Sequence, residues 1–193
     1  MGNKLTENNN TSPLWKVMTD TNPQNIYAVA DGAASKYIHA HLIAHEVPYL
    51  ALYEDKSLPK EQSPYVFPLK QQDVFSEWFL NENRNKNWGI IIQSHLSLAE
   101  LLKPLKHFLT IQDEQGHIQL IRYYDPRVTR AYLSALAPTQ SEDFFKSVSS
   151  VWTDSIGVTE SLTHHCMKEG QYQIKMISLL QTQEQPLKEE DVA

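Results

Sequence analysis

The sequence predicts an α/β fold of the mixed α+β kind: a mixed sheet with a β-hairpin, packed against helices, plus a smaller, mainly helical C-terminal lobe. Three observations predict it. Short apolar runs of strand length alternate with longer stretches of helical period. The polar tetrapeptide Asp113-Glu114-Gln115-Gly116 separates two strand-like runs in the manner of a hairpin loop. The chain's 193 residues, 41% of them hydrophobic, suffice for one ordinary domain with a small appendage. We divide it into a flexible N-terminal arm over 1–22, a main domain over 23–152, the C-terminal lobe over 153–180 and a disordered acidic tail over 181–193.

Taken in order, Ile26-Tyr27-Ala28-Val29-Ala30 reads as a short buried strand ended by Asp31-Gly32, and Ala33 to His45 favours helix by composition. Val47 to Tyr53 is a second apolar run. Tyr65-Val66-Phe67-Pro68-Leu69 reads as an edge-like strand because prolines flank or interrupt it. Asp73 can cap a helix bearing Phe75, Trp78 and Phe79 on one face, and Trp88 to Ile92 is the near-continuous apolar run of a central strand. Ser97 and Glu100 have capping-box spacing before Leu98, Leu101, Leu102, Leu105, Phe108 and Leu109, with Pro104 expected to kink that helix or end its regular part. Phe108 to Gln112 and His117 to Tyr124 form the predicted hairpin, with Gly116 able to take the positive φ of its loop.

Asp125-Pro126 sets a cap residue before a proline at the first helical position, and Val128, Ala131, Tyr132, Ala135 and Leu136 form the expected buried stripe. Thr139 and Glu142 repeat capping-box spacing before Phe144, Phe145 and Val148. Farther on, Ser155 to Lys168 reads as helix, whereas Tyr172, Ile174 and Met176 alternate like a strand.

Charge and composition narrow the function classes. Acidic residues outnumber Lys and Arg by six, which disfavours a nucleic-acid backbone or an anionic membrane as partner. No apolar stretch reaches the ~20 residues of a spanning helix, so no membrane insertion is expected. The Met1-Gly2…Thr6 pattern fits myristoylation formally, but no basic cluster follows to support it. A single cysteine, Cys166, excludes an intramolecular disulfide and suits a reducing, cytoplasmic setting.

The chemistry sought is mostly missing. His41 and His45 stand four apart on the helix predicted there, a spacing used by metal-binding helices, but the companion Glu of a metalloprotease does not follow His41. A metal-dependent hydrolase using these two histidines is the enzyme alternative. His164-His165-Cys166 joins imidazoles and a thiol, yet neighbours on a helix point apart, and a nucleophile meets its base across the fold. Phosphate-cradling glycine loops and nucleophile elbows are absent, and no catalytic residue, metal or cofactor is expected. Trp88, Tyr132, Phe144 and Phe145 fall in phase with apolar neighbours and read as core, while Trp15 either docks the arm or is offered to a partner.

Arg122-Tyr123-Tyr124-Asp125-Pro126-Arg127 is the most pointed segment. Alternation from Ile118 through Leu120 aims Arg122 and Tyr124 at one sheet face, where the guanidinium requires a carboxylate: Asp125, Asp31 or a partner's. Arg127, unfavourable in a first helical turn, is expected to turn toward an acidic group elsewhere. The candidate partner-binding residues are therefore Arg122, Tyr124, Asp125 and Arg127 at this junction, and Tyr65 and Phe67 on the edge-like strand.

From about Ile26 to Trp152 the chain resembles the small adaptor chaperones of bacterial type VI secretion, catalogued as a domain of unknown function. The resemblance is carried by Tyr27-Ala28-Val29-Ala30-Asp31-Gly32-Ala33, Trp88-Gly89-Ile90, Phe108-Leu109 with Asp113 to Gly116, and above all Arg122 to Val128. Tyr123 stands where that family more often has Phe, and Pro104 is an addition. It implies a cytoplasmic, non-enzymatic protein that binds a cognate effector toxin, commonly near the effector's N-terminal region, and promotes its loading on the VgrG spike protein. A structural subunit of the secretion apparatus is the other non-enzymatic reading.

Overall fold

The computed structural model describes residues 13–19, 24–53, 59–112, 115–155, 157–158 and 160–180. The start of the arm, with its acylation pattern, and the acidic tail lie outside them. A seven-stranded sheet forms the middle layer. Its strands are β1 (Asn25–Asp31), β2 (Leu50–Ala51), β3 (Pro64–Leu69), β4 (Gly89–Ser94), β7 (Ser150–Asp154), β8 (Ser161–Lys168) and β9 (Gln171–Ser178), in the order β2-β3-β1-β4-β7-β8-β9. The fold is of the mixed α+β class, as expected, but each neighbouring pair of strands is antiparallel, so the sheet itself is not mixed. The reason lies in the crossover. Strands β3 and β4 run parallel and are joined through α3 (Val74–Asn83), but β1 lies between them and pairs antiparallel with both.

Helices cover both faces. Against one pack α1 (Pro13–Thr19), α2 (Lys36–Ala44) and α3, and against the other α4 (Leu98–His107), α5 (Pro126–Ala135) and α6 (Pro138–Ser147). Alternation along each strand then feeds two cores. Ile26, Ala28, Phe67, Ile91 and Trp152 face the first helical layer, and Tyr27, Val29, Val66, Ile90 and Val151 the second. Burial on both faces is why the central strands read as continuous apolar runs. Gly89 belongs to that tight centre. A Cβ there would lie 2.2 Å from the Val29 carbonyl oxygen, and the Asn83 side chain brackets the residue, accepting from its N–H at 3.0 Å and donating to its carbonyl at 3.1 Å.

Most local signals act as read. Asp73 accepts from the Ser76 N–H at 2.9 Å, Ser97 and Glu100 form the capping box of α4, and Asp125 caps α5 with Pro126 in its first turn. The hairpin is a separate two-stranded sheet, β5 (Thr110–Gln112) with β6 (Ile118–Leu120), and Gly116 has φ +86°. Helix α4 runs through Pro104 to His107 instead of ending there. Helix α6 begins earlier than the Thr139–Glu142 spacing implies, because the Gln140 side chain accepts from the Ala137 N–H at 3.0 Å.

Three further expectations need correction. The 153–180 segment is not a helical lobe: Ser161–Lys168 is β8, paired along its length with β7 and β9 as an extension of the main sheet. The arm is helical over Pro13–Thr19, where Leu14, Trp15 and Met18 are buried and the Trp15 indole N–H donates to Glu77, so Trp15 docks and is not on offer. Finally, β3 is covered by β2 over Tyr65 and Val66. Tyr65 and Phe67 are 2% and 0% exposed, and their side chains are core.

Candidate functional site

The site is built on the turn that leads from the hairpin into α5. Strand β6 ends at Leu120, and Ile118 and Leu120 are exposed, so no apolar sheet face extends to Arg122. Residues 122–125 instead form a turn closed by the Asp125 N–H donating to the Arg122 carbonyl at 2.9 Å. Polar struts hold it. The Tyr123 hydroxyl, fully buried, donates to the Leu105 carbonyl at 3.1 Å, and Thr129 Oγ1 donates to the Tyr123 carbonyl at 2.8 Å. Tyr132 donates from α5 to the Phe108 carbonyl at 3.3 Å. Burial pushes the Tyr123 phenol well above its ordinary value and that of Tyr132 up to about 12, so both remain neutral donors at physiological pH.

The charged residues of this turn take separate partners. Arg122 pairs with Asp31 at the end of β1, one of the two carboxylates the sequence offered, and lies 6.0 Å from the Tyr124 ring centroid. Arg127 grips Asp125 through two contacts, Nε to Oδ1 at 2.9 Å and Nη2 to Oδ2 at 2.6 Å, so its acidic group is its own helix cap and not a distant one. The Arg127 hydrogen bonds hold the Asp125 carboxyl below its ordinary value. Tyr124 and Asp125 are 4% and 7% exposed and serve the fold, whereas the Arg122 and Arg127 side chains are 51% and 69% exposed.

Arg122→Ala leaves the Asp31 carboxylate buried without its cation, and we expect a loss of about 1–3 kcal/mol, read from the urea midpoint. Arg127→Ala, at a solvent-exposed guanidinium, is expected to move that midpoint much less. Equal losses from the two variants would contradict this division.

Beside the turn lies an open groove of about 710 Å³ between α5, the end of α4 with β5, and α6. Its α5 wall is Val128, Ala131, Tyr132, Ala135 and Leu136, the same stripe that helical period marks as core. Only Tyr132 is buried; Val128 and Leu136 are half-buried, and both alanines are exposed. Phe108, Ile111 and Ile121 add apolar surface, with His107, Gln112, Gln140 and Asp143 as polar lining. The stripe's period was legible, but its lack of a covering element was not.

The histidines do other work. The His41 ring stacks on Trp78 at 3.8 Å between centroids and lies 5.7 Å from His45, and among the described residues no group of three or more His, Cys, Asp or Glu could hold a metal ion. His164 and His165 lie on a strand and point to opposite faces of the sheet. His164 stacks on Trp152 at 4.0 Å and bonds Ser150 Oγ at 2.9 Å, while His165 bonds the Tyr172 hydroxyl at 2.8 Å. Burial raises the Cys166 thiol pKa, the wrong direction for a nucleophile.

The model of the family described as "Domain of unknown function (DUF4123)" matches residues 26–143, ending within α6 and short of the expected Trp152. No curated protein and no solved structure matches the chain. A match over more than half of the chain shows that it belongs to the DUF4123 family, which is associated with loading adaptors of type VI secretion effectors and is chaperone-like rather than enzymatic.

Proposed function

We propose that this protein is an adaptor chaperone that seats an apolar segment of a cognate type VI effector, near the effector's N-terminal region, in the groove beside α5 and promotes its loading on the VgrG spike protein. The groove carries this reading: a stripe of helical period left open to solvent, floored by apolar side chains and edged by polar ones, suits reversible cover of another chain's apolar segment. Alanines at 131 and 135 let a second backbone come close. Arg122 and Arg127, exposed at the neighbouring turn, supply cations to a carboxylate or backbone carbonyl of the client. Membership of a family associated with such adaptors supports the same reading, as does the absence of a membrane-crossing helix among the described residues.

Co-expression with the toxin encoded beside this gene is expected to give a soluble stoichiometric complex, and deletion of the gene to lower that toxin's level or secretion while spike assembly proceeds. A protein that co-purifies with neither effector nor spike would refute the proposal. One that stays in the assembled apparatus after loading would be a structural subunit instead.

A further inference from the structure

The sheet's two ends differ. One closes with β2, two residues long; the other ends on β9, eight residues long, and among the described residues nothing pairs with its outer edge. The β8–β9 connection is the two-residue turn Glu169-Gly170, both at positive φ, so Lys168 and Gln171 flank it as a hydrogen-bonded pair. Farther along the same register the Leu179 N–H donates to the Glu160 carbonyl at 2.8 Å. By alternation, Gln171, Gln173, Lys175 and Ile177 spend their backbone groups on β8, and those of Tyr172, Ile174 and Met176 point outward.

The usual protections of such an edge are missing. Strand β9 has no proline and no bulge opposite β8, and Lys175 is its one charge. On the face of Tyr172, Ile174 is 37% and Met176 65% exposed.

We propose that this edge is a self-association surface on which a second copy of the chain lays its own β9 antiparallel, about a two-fold axis through Ile174. The strand's own sequence selects this occupant. Centring on Ile174 sets Tyr172 opposite Met176 of the copy, an aromatic against a thioether, and Lys175 opposite Gln173, with Gln171 to Ile177 paired throughout. Centring one residue farther on would place Lys175 against itself. The union continues the sheet across the two-fold and covers Ile174 and Met176 on both copies. The contact is one strand wide, so its dissociation constant is expected on the order of 10 µM. The inference is independent of the client groove, and self-association is measured without an effector.

Sedimentation of the full-length protein from about 1 µM to about 1 mM should show a monomer–dimer equilibrium. Ile174→Lys brings two ammonium groups together at the axis, and Met176→Pro removes an outward N–H while sparing the bonds to β8; each should weaken dimerisation at least about tenfold with an unchanged far-UV spectrum. In a Cys166→Ser background, Ile174→Cys should be joined to its copy by a short bismaleimide. Gln171→Cys, whose copy lies about 20 Å away in this register, should not. Monomer at every concentration, dimers indifferent to both edge variants, or cross-linking at 171 in preference to 174 would overturn the proposal. So would a monomeric protein whose edge variants fail to capture the effector, which would assign the edge to the client.

Discussion

Ala131→Arg is expected to abolish effector capture, weakening the complex by about 100-fold or more, while the melting temperature of the free protein stays nearly unchanged. Ala131 faces solvent on α5, and arginine is a good helix former, so the folded monomer tolerates the longer side chain. In the complex the same side chain would fill the groove and bury a guanidinium without a partner, a cost of several kcal/mol. Ala135→Arg, one turn along the same wall, should behave alike. Calorimetric titration of the purified effector segment, beside a melting curve, makes the measurement. Unchanged affinity in both variants would remove the groove as the client's seat, and a large fall in melting temperature would mean that these alanines are packed in the fold.

The second large effect is acid lability centred on β8. Burial holds His164 and His165 down to a pKa of about 4, against 6.5 for the free side chain, and each has a neutral role as a hydrogen-bonded ring within the sheet. The unfolded chain binds protons at these histidines that the folded chain does not. Their contribution to stability is therefore complete above about pH 6.5, falls as the pH drops toward 4 and changes no further below that. At about 1.4 kcal/mol per pH unit, the loss is on the order of 3 kcal/mol for each ring. Glu100, Asp125 and Asp143 have carboxyl pKa values held below the ordinary carboxylate range, so the stability they give is lost only as the pH falls further. Urea midpoints should be level from pH 8 to 7 and decline steeply from about pH 6 to 4. His164→Phe, keeping a ring against Trp152, should make that decline about half as steep. A midpoint independent of pH across this window would contradict the burial of both rings.

What could be read from residues in order was whatever depends on near neighbours. The caps at Asp73, Ser97 and Asp125, the positive φ of Gly116 and the two-sided apolar runs of β1 and β4 each involve groups a few residues apart, and each acts as expected. The resemblance to the family was likewise carried by short contiguous blocks, and the family model matches residues 26–143 around them. Reading failed where a residue's state depends on a remote partner. Residues 161–168 carry helix-compatible composition, but pairing with β7 and β9 and the seating of His164 on Trp152 make them a strand.

The candidate site divides the same way. The sequence alone singled out the segment from Arg122 to Arg127 and the stripe from Val128 to Leu136. Tertiary structure assigned Arg122 to Asp31 and Arg127 to Asp125, sank Tyr65, Phe67 and Tyr124 into the core, and left the stripe's alanines open to solvent. Periodicity records which face of a helix is apolar; whether that face is covered depends on where the distant hairpin and α6 come to rest, and here they stop short of closing over it.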